Sequence, residues 1–423
     1  MDQIKVRGGK KLKGIIEISG SKNATLPIII ASLLTERKVV VRRVPDLADV
    51  RTILELLTFF GADLNFRSGL NGKILEIINT NITVKKAPYE LVRKMRASVL
   101  VLGALVARYG EAKVSLPGGC AIGTRPIDIH LNGLESLGAS ISLEDGYVKA
   151  VAKNGLIGSE INLPKVSVGA TENLMMAATL AKGKTVLFNC AKEPEISELG
   201  RFLNTMGAKI LGLGTDKITI HGVDELIGTD FTVANDRIET GTYAIAAAIT
   251  GGIIKLQGAQ TNHLFSVFDI LSKTGVSIVE DSESVVISRD NEILPFDIAT
   301  QPYPGFPTDM QAQVMALLSL ASGSSIITEN IFENRFMHIP ELVRMGANIT
   351  QEGPTAIIKG VKKLKGAQVM ATDLRASVSL VLAGLAAEGE TVISRIYHLD
   401  RGYEDLVRKL TNCGADIERV AGI

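Results

Sequence analysis

FFGADLNF, residues 59–66, is the stretch from which the fold can be read. An amphipathic run, DVRTILELLTFF (49–60), ends at Gly61, and polar–apolar alternation starts directly after it. Glycine takes the left-handed conformation that closes helices, so Gly61 reads as a helix C-terminus feeding a strand. The signature returns in SLGASISL (136–143), TMGAKILG (205–212), KTGVSIVE (273–280), RMGANITQ (344–351) and NCGADIER (412–419). Gly61, Gly138, Gly207, Gly275, Gly346 and Gly414 lie 77, 69, 68, 71 and 68 residues apart. A period of this size is an internal repeat.

Working outward, a β-like segment precedes each surface helix, as in KVVVRRV (38–44), KTVLFNC (184–190) and ETVISRI (390–396). Before each lies a run of small and apolar residues, among them NATLPIIIASLL (23–34), RASVLVLGALVA (96–107) and RASVSLVLAGLAA (375–387). A helix apolar on nearly all sides belongs in the interior. Each unit thus supplies a buried helix, a strand, a surface helix and closing strands. The opening IKVRGGKKLKG (4–14) resembles IIKGVKKLKG (357–366), so the period starts near residue 4. Six such units are too many for one core. The prediction is an α/β chain of two domains, each an inside-out α/β barrel of three βαβαββ-like repeats, with sheets around buried helices.

Composition bounds the function. The chain has 423 residues, with 46 basic side chains against 45 acidic, so no global charge points to nucleic acid. No tryptophan and 4% aromatics leave little for a base-stacking platform. Cys120, Cys190 and Cys413 are odd in number and widely spaced, which suits a reducing compartment. The N-terminal MDQIKVRGGKKLKG lacks the apolar core of a signal peptide, and the longest apolar runs are too short to span a membrane. The expectation is a soluble cytoplasmic protein without membrane or nucleic-acid partners.

The starts of the buried helices are not bland. Ser, Thr and Asp there are ordinary caps. Capping does not explain Lys22, Arg96, Arg237 or Arg375, because a cation at a helix N-terminus opposes the macrodipole. Such cations become favourable when an anion sits between them and the free N–H groups. The alternative is salt bridges to Asp236, Asp309 and Asp373. Arg335 and Arg401 form a second cationic set, each just before a surface helix. In the second repeat that place is taken by LPGGCAIGTRP (116–126), which carries Cys120 and Arg125 on a glycine-rich loop. Other chemistries lose support. AKGKT lacks the first P-loop glycine, the five histidines have no metal-ligand spacing, and neither GxGxxG after a strand nor GxSxG is present.

GSKNA (20–24), MRAS (95–98), the 116–139 segment, KVSVGATENLMMAA (165–178), PGFPTDMQAQ (304–313), ENRFMH (333–338), MATDLRAS (370–377) and IYHLDRGYE (396–404) occur in this order. Together they resemble the enolpyruvyl transferases, and among these the branch acting on UDP-N-acetylglucosamine. The 3-phosphoshikimate branch lacks the loop cysteine. The resemblance implies domain I at 22–234 and domain II at 1–21 with 235–423, with the active site in the cleft between them. It implies transfer of the enolpyruvyl group of phosphoenolpyruvate to the sugar 3-hydroxyl, with release of phosphate, as the first committed step of peptidoglycan precursor synthesis. Lys22, Asn23, Arg125 and Arg401 match positions holding phosphoenolpyruvate. Arg96, Arg125, Pro126, Ile127, Asp128, Ile129, Lys165, Ser167, Val168, Gly169, Asp309 and Ile331 match the sugar-nucleotide site. Arg335 and Asp373 match other cleft positions. By the same resemblance Cys120 is the general acid and the target of fosfomycin-type inhibitors. Asp309 is the candidate base, Lys22 and Arg401 belong to the catalytic set, and no metal or cofactor is required.

Overall fold

The computed structural model describes residues 2–69, 72–116 and 127–421. The described residues form six four-stranded sheets, all with one topology. A short edge strand runs parallel to a first inner strand, which pairs antiparallel with a second inner strand, which in turn forms an antiparallel ladder with the outer strand. In one sheet these are Lys86–Ala87, Glu111–Ser115, Tyr147–Val151 and Ser140–Glu144, with Lys113 opposite both Lys86 and Lys149. Alternation of buried and half-exposed residues along the inner strands turns one face of each sheet inward.

Two compact units divide the chain, each with its own apolar core. Among the described residues the first unit holds 20–116 and 127–234; the second combines those up to Ser19 with 235–421. Gly20 and Ser21 lie in the first unit, with the helix that Ser21 caps. Inside the first unit lie the helices Lys22–Ala31, Val101–Tyr109 and Val168–Ala178. Inside the second lie Arg237–Thr250, Gln311–Leu318 and Leu374–Ala386. Their residues are buried nearly all round, as their apolar sequences require. Small residues let these helices approach closely. A Cβ at Gly103 would lie 2.3 Å from Asn173 Oδ1, which instead accepts the Gly103 N–H at 3.0 Å.

Surface helices pack one apolar stripe inward. Ala48–Phe60 buries Ile53, Leu56, Leu57 and Phe60 while exposing Arg51, Glu55 and Thr58. All six repeat glycines have φ between 90° and 110°. The N–H of each following residue bonds the carbonyl five residues back, from Ala62 to Leu57 at 3.0 Å through Ala415 to Leu410 at 3.1 Å. The repeated glycine is thus a repeated Schellman cap.

Sequence-distant strands close both rings. Gln3–Arg7 lies between Glu390–Ser394 and Asp416–Val420, with Ile4 opposite Ile393 and Arg419. It is the missing inner strand of the sixth repeat, which is why the period starts near residue 4. Lys13–Glu17 pairs parallel with Ile253–Gln257 in the second unit, and Asp230–Thr232 with Val39–Val44 in the first. Among the described residues no helix is long and apolar enough to cross a membrane.

Candidate active site

The core helices of the first unit place a polar set at their N-terminal ends. Ser21 and Ser167 are N-caps, each accepting the N–H three residues on at 3.3 Å. Lys22, the first helical residue after Ser21, is buried, and its Nζ lies 2.8 Å from Asp49 Oδ2. Asp49 opens the Ala48–Phe60 helix and is itself buried. Only the fold brings these two helix starts together, so the sequence does not show the pairing. Asn23 is half-buried beside Lys22. Arg96 begins the 3-10 turn Arg96–Leu100 that leads into Val101–Tyr109, and is also half-buried.

Ile127 and Ile129 are buried at the start of the Asp128–Ser136 helix, while Asp128 is exposed in its first turn. Lys165 and Val168 are exposed, and Ser167 and Gly169 are half-buried. His130 lies behind them, 3.1 Å from Asn173 Nδ2, with its Cε1 3.4 Å from where a Cβ on Gly169 would sit. Backbone N–H groups at a capped helix start beside a lysine make an anion-binding surface. Cys120, Arg125 and Pro126 lie outside the described residues.

In the second unit the chemistry gathers around Asp309, in the 3-10 turn Thr308–Met310 that leads into Gln311–Leu318. Arg335 Nη2 donates to its Oδ1 at 2.7 Å and Arg375 Nη2 to its Oδ2 at 2.8 Å. The side chains of Arg335 and Arg375 are 7% and 5% exposed, against 27% for Asp309, so the carboxylate faces solvent over two buried cations. Burial opposes ionisation of Asp309, but Arg375 and Arg335 outweigh it and hold the carboxyl well below the usual carboxylate range. Burial likewise disfavours charge on Arg375; Asp309 and Tyr403 more than compensate and raise its pKa.

Each arginine has a second anchor. Arg335 Nη1 donates to Thr308 Oγ1 at 3.0 Å, and that hydroxyl donates to Glu329 Oε2 at 2.8 Å. Glu329 also accepts the N–H groups of Ile331 and Phe332 at 2.9 and 3.2 Å, which fixes the half-buried Ile331. Arg375 Nη1 donates to the Tyr403 hydroxyl at 3.3 Å. Asp373 caps its helix, accepting from Arg375 N at 2.8 Å and Ala376 N at 3.0 Å. Arg401 is half-buried at the end of the 3-10 segment Ile396–Arg401.

The structure thus gathers Asp309, Arg335 and Arg375 around one carboxylate, and Lys22 joins Asp49. The salt-bridge alternative therefore holds for Arg375. Asp49, Glu329 and Tyr403 are not singled out by the sequence; a carboxylate in the first turn of a surface helix was the available signal for Asp49. Chemically, the second unit offers a carboxylate kept ionised and fixed in direction by two buried cations, which also lower its proton affinity.

A core of three helices wrapped by sheets, twice in one chain, is the two-domain inside-out α/β barrel of the enolpyruvyl transferases. Its likeness to the enolpyruvyl transferase NikO from Streptomyces tendae has a TM-score of 0.88 at 24% identity, covering 100% of this chain and 99% of that one. An EPSP synthase from Acinetobacter baumannii gives 0.77 at 19%, with full coverage of both chains. The profile of the EPSP synthase (3-phosphoshikimate 1-carboxyvinyltransferase) family matches residues 6–410, and this chain belongs to that family. More similar in sequence are proteins named UDP-N-acetylglucosamine 1-carboxyvinyltransferase. That of Rhodospirillum centenum is 56% identical over 99% of both chains, and that of Gluconobacter oxydans 57% over 100% of both.

Proposed function

We propose that this protein transfers the enolpyruvyl group of phosphoenolpyruvate to the 3-hydroxyl of UDP-N-acetylglucosamine, releasing phosphate. The observation that carries the reading is full-length identity of 56% to proteins of that name. The reaction is an addition followed by an elimination. The sugar oxygen bonds to C2 of phosphoenolpyruvate while its proton passes to Asp309, and C3 gains a proton from the Cys120 thiol. The adduct then returns a proton from C3 to the Cys120 thiolate, the bond from C2 to the phosphate oxygen breaks, and phosphate leaves with the proton that Asp309 had taken. A free thiol titrates near 8.5, so it is largely protonated at neutral pH, as a donor must be.

Lys22, Asn23, Arg125 and Arg401 bind phosphoenolpyruvate in this reading. Arg96, Pro126 to Ile129, Lys165 to Gly169 and Ile331 bind the nucleotide sugar, and Arg335 and Asp373 complete the site. Phosphate, carboxylate and diphosphate together require several cations and helix N-termini, which the two residue sets supply. Fosfomycin, an epoxide, alkylates Cys120 on this account. The activity is cytoplasmic and opens peptidoglycan precursor synthesis, with growth and division downstream of it. Phosphate release from the two substrates tests the proposal, and replacing the sugar nucleotide with 3-phosphoshikimate tests the acceptor.

A further inference from the structure

A ring of buried polar contacts lies behind Asp309. Arg375 bridges from Asp309 Oδ2 to the Tyr403 hydroxyl. That hydroxyl is 2.9 Å from Thr242 Oγ1 and 3.4 Å from Gln313 Nε2. Gln313 Nε2 also donates to the backbone carbonyl of Asp309 itself, at 2.8 Å. The ring therefore leaves Asp309 by its side chain and returns to it by its main chain. Thr242, Gln313 and Arg375 come from the three core helices of the second unit, and Tyr403 follows the segment that carries Arg401.

The protons in this ring have an order. Thr242 donates its own proton to Ile238 O at 2.8 Å, so its oxygen accepts from Tyr403. Arg375 and Gln313 are donors at Tyr403. The tyrosine oxygen therefore presents only lone pairs to Arg375, and the guanidinium is held with its other nitrogen aimed at Asp309. Thr242 and Gln313 are fully buried and Tyr403 is 4% exposed, so water does not substitute for a lost partner.

We infer that Tyr403 is a positioning residue for Asp309, acting through Arg375. This rests on the proposed function, in which Asp309 takes the sugar proton. A reacting group is useful only when the side chains that aim it are themselves locked. Tyr403 locks Arg375, and Arg375 sets both the direction and the proton affinity of the carboxylate. The other titratable groups facing the ring are Asp236 toward Arg375 and Tyr403, Tyr243 toward Tyr403, and His338 and Glu329 on the Arg335 side.

The test is Tyr403→Phe, which keeps the ring and removes the oxygen. With phosphoenolpyruvate and UDP-N-acetylglucosamine, kcat is expected to fall at least about tenfold, with both KM values within about threefold of wild type. The acid limb of the kcat/KM profile is expected to move to higher pH, because Asp309 loses part of its hold from Arg375. A purely structural tyrosine would not move that limb. Should Tyr403→Phe fail to fold, Thr242→Val removes the acceptor of the tyrosine proton and is expected to shift the limb the same way, by less. A folded variant with wild-type kcat and an unmoved acid limb overturns the inference. Asp309→Asn separates the two readings. If it is inactive while Tyr403→Phe behaves as wild type, only the positioning role is lost. If Asp309→Asn turns over normally, the base assignment itself is lost.

Discussion

Arg375 Nη2 and Asp309 Oδ2 meet at 2.8 Å, joining the starts of two core helices of the second unit. Arg335 takes the other oxygen, so the carboxylate cannot turn without breaking a charge-assisted bond.

Asp309→Ala removes the shared anion and leaves two buried cations facing each other. It is expected to cost about 3 kcal/mol in stability, leave phosphoenolpyruvate binding measurable, and lower turnover by about a hundredfold or more. The stability cost has a pH signature. The folded pKa of Asp309 is depressed, so its contribution is present above the unfolded value near 4 and is lost as pH falls through the lower folded value. Urea unfolding at pH 7 and at pH 2.5 reads this, and the gap between wild type and variant is expected to shrink at the lower pH.

Cys120→Ala is expected to fold with an unchanged melting temperature and to lose most phosphate release. Intact-mass spectrometry after treatment with fosfomycin should find one adduct on the wild-type protein and none on this variant. Cys190 and Cys413 are both buried and both have raised pKa values, from burial first of all, with Cys190 pushed up to about 11. Their thiols therefore stay protonated and unreactive at neutral pH.

Lys409 and Glu239 form a buried ion pair at 2.6 Å, with side chains 13% and 2% exposed. Glu239 also accepts the Ser19 N–H at 2.7 Å, and Lys409 donates to Ser19 Oγ at 2.6 Å. Lys409→Ala strands the carboxylate and is expected to cost about 3–5 kcal/mol. Lys409→Ala with Glu239→Gln together should cost less than Lys409→Ala alone, read by denaturant midpoints.

Glu198 is a carboxylate pushed up to about 7, chiefly by burial and against the pull of the Ala234 N–H, which it accepts at 2.5 Å. The raised folded pKa means that its contribution is most favourable below the unfolded value near 4.5 and is lost as pH rises through about 7. Glu198→Gln keeps the acceptor without the charge. It is expected to stabilise the protein by roughly 1–3 kcal/mol at pH 8 and by nothing at pH 4.

The repeat was legible because its signals are local. A glycine after an amphipathic run, and a helix apolar on every side, need no partner to be recognised. The cations at the helix starts were legible for the same reason, since they contradict the macrodipole. Pairing was not. Lys22 meets Asp49 and Arg375 meets Asp309 only once helices from different parts of the chain lie side by side. Glu198 sits in a helix that reads as a solvated amphipath, yet it turns inward to the main chain at Ala234. Tyr403 carries no charge and belongs to no periodic pattern. Its role emerges from three hydrogen-bond partners supplied by three helices.

Incubating the folded protein with phosphoenolpyruvate and UDP-N-acetylglucosamine, and measuring phosphate together with the nucleotide product, decides whether it is an enolpyruvyl transferase for this acceptor. Sustained turnover is expected, with one phosphate released for each enolpyruvyl ether formed on the sugar. Absence of phosphate from active-site-intact, folded protein contradicts it, as does turnover with 3-phosphoshikimate in preference to the nucleotide sugar.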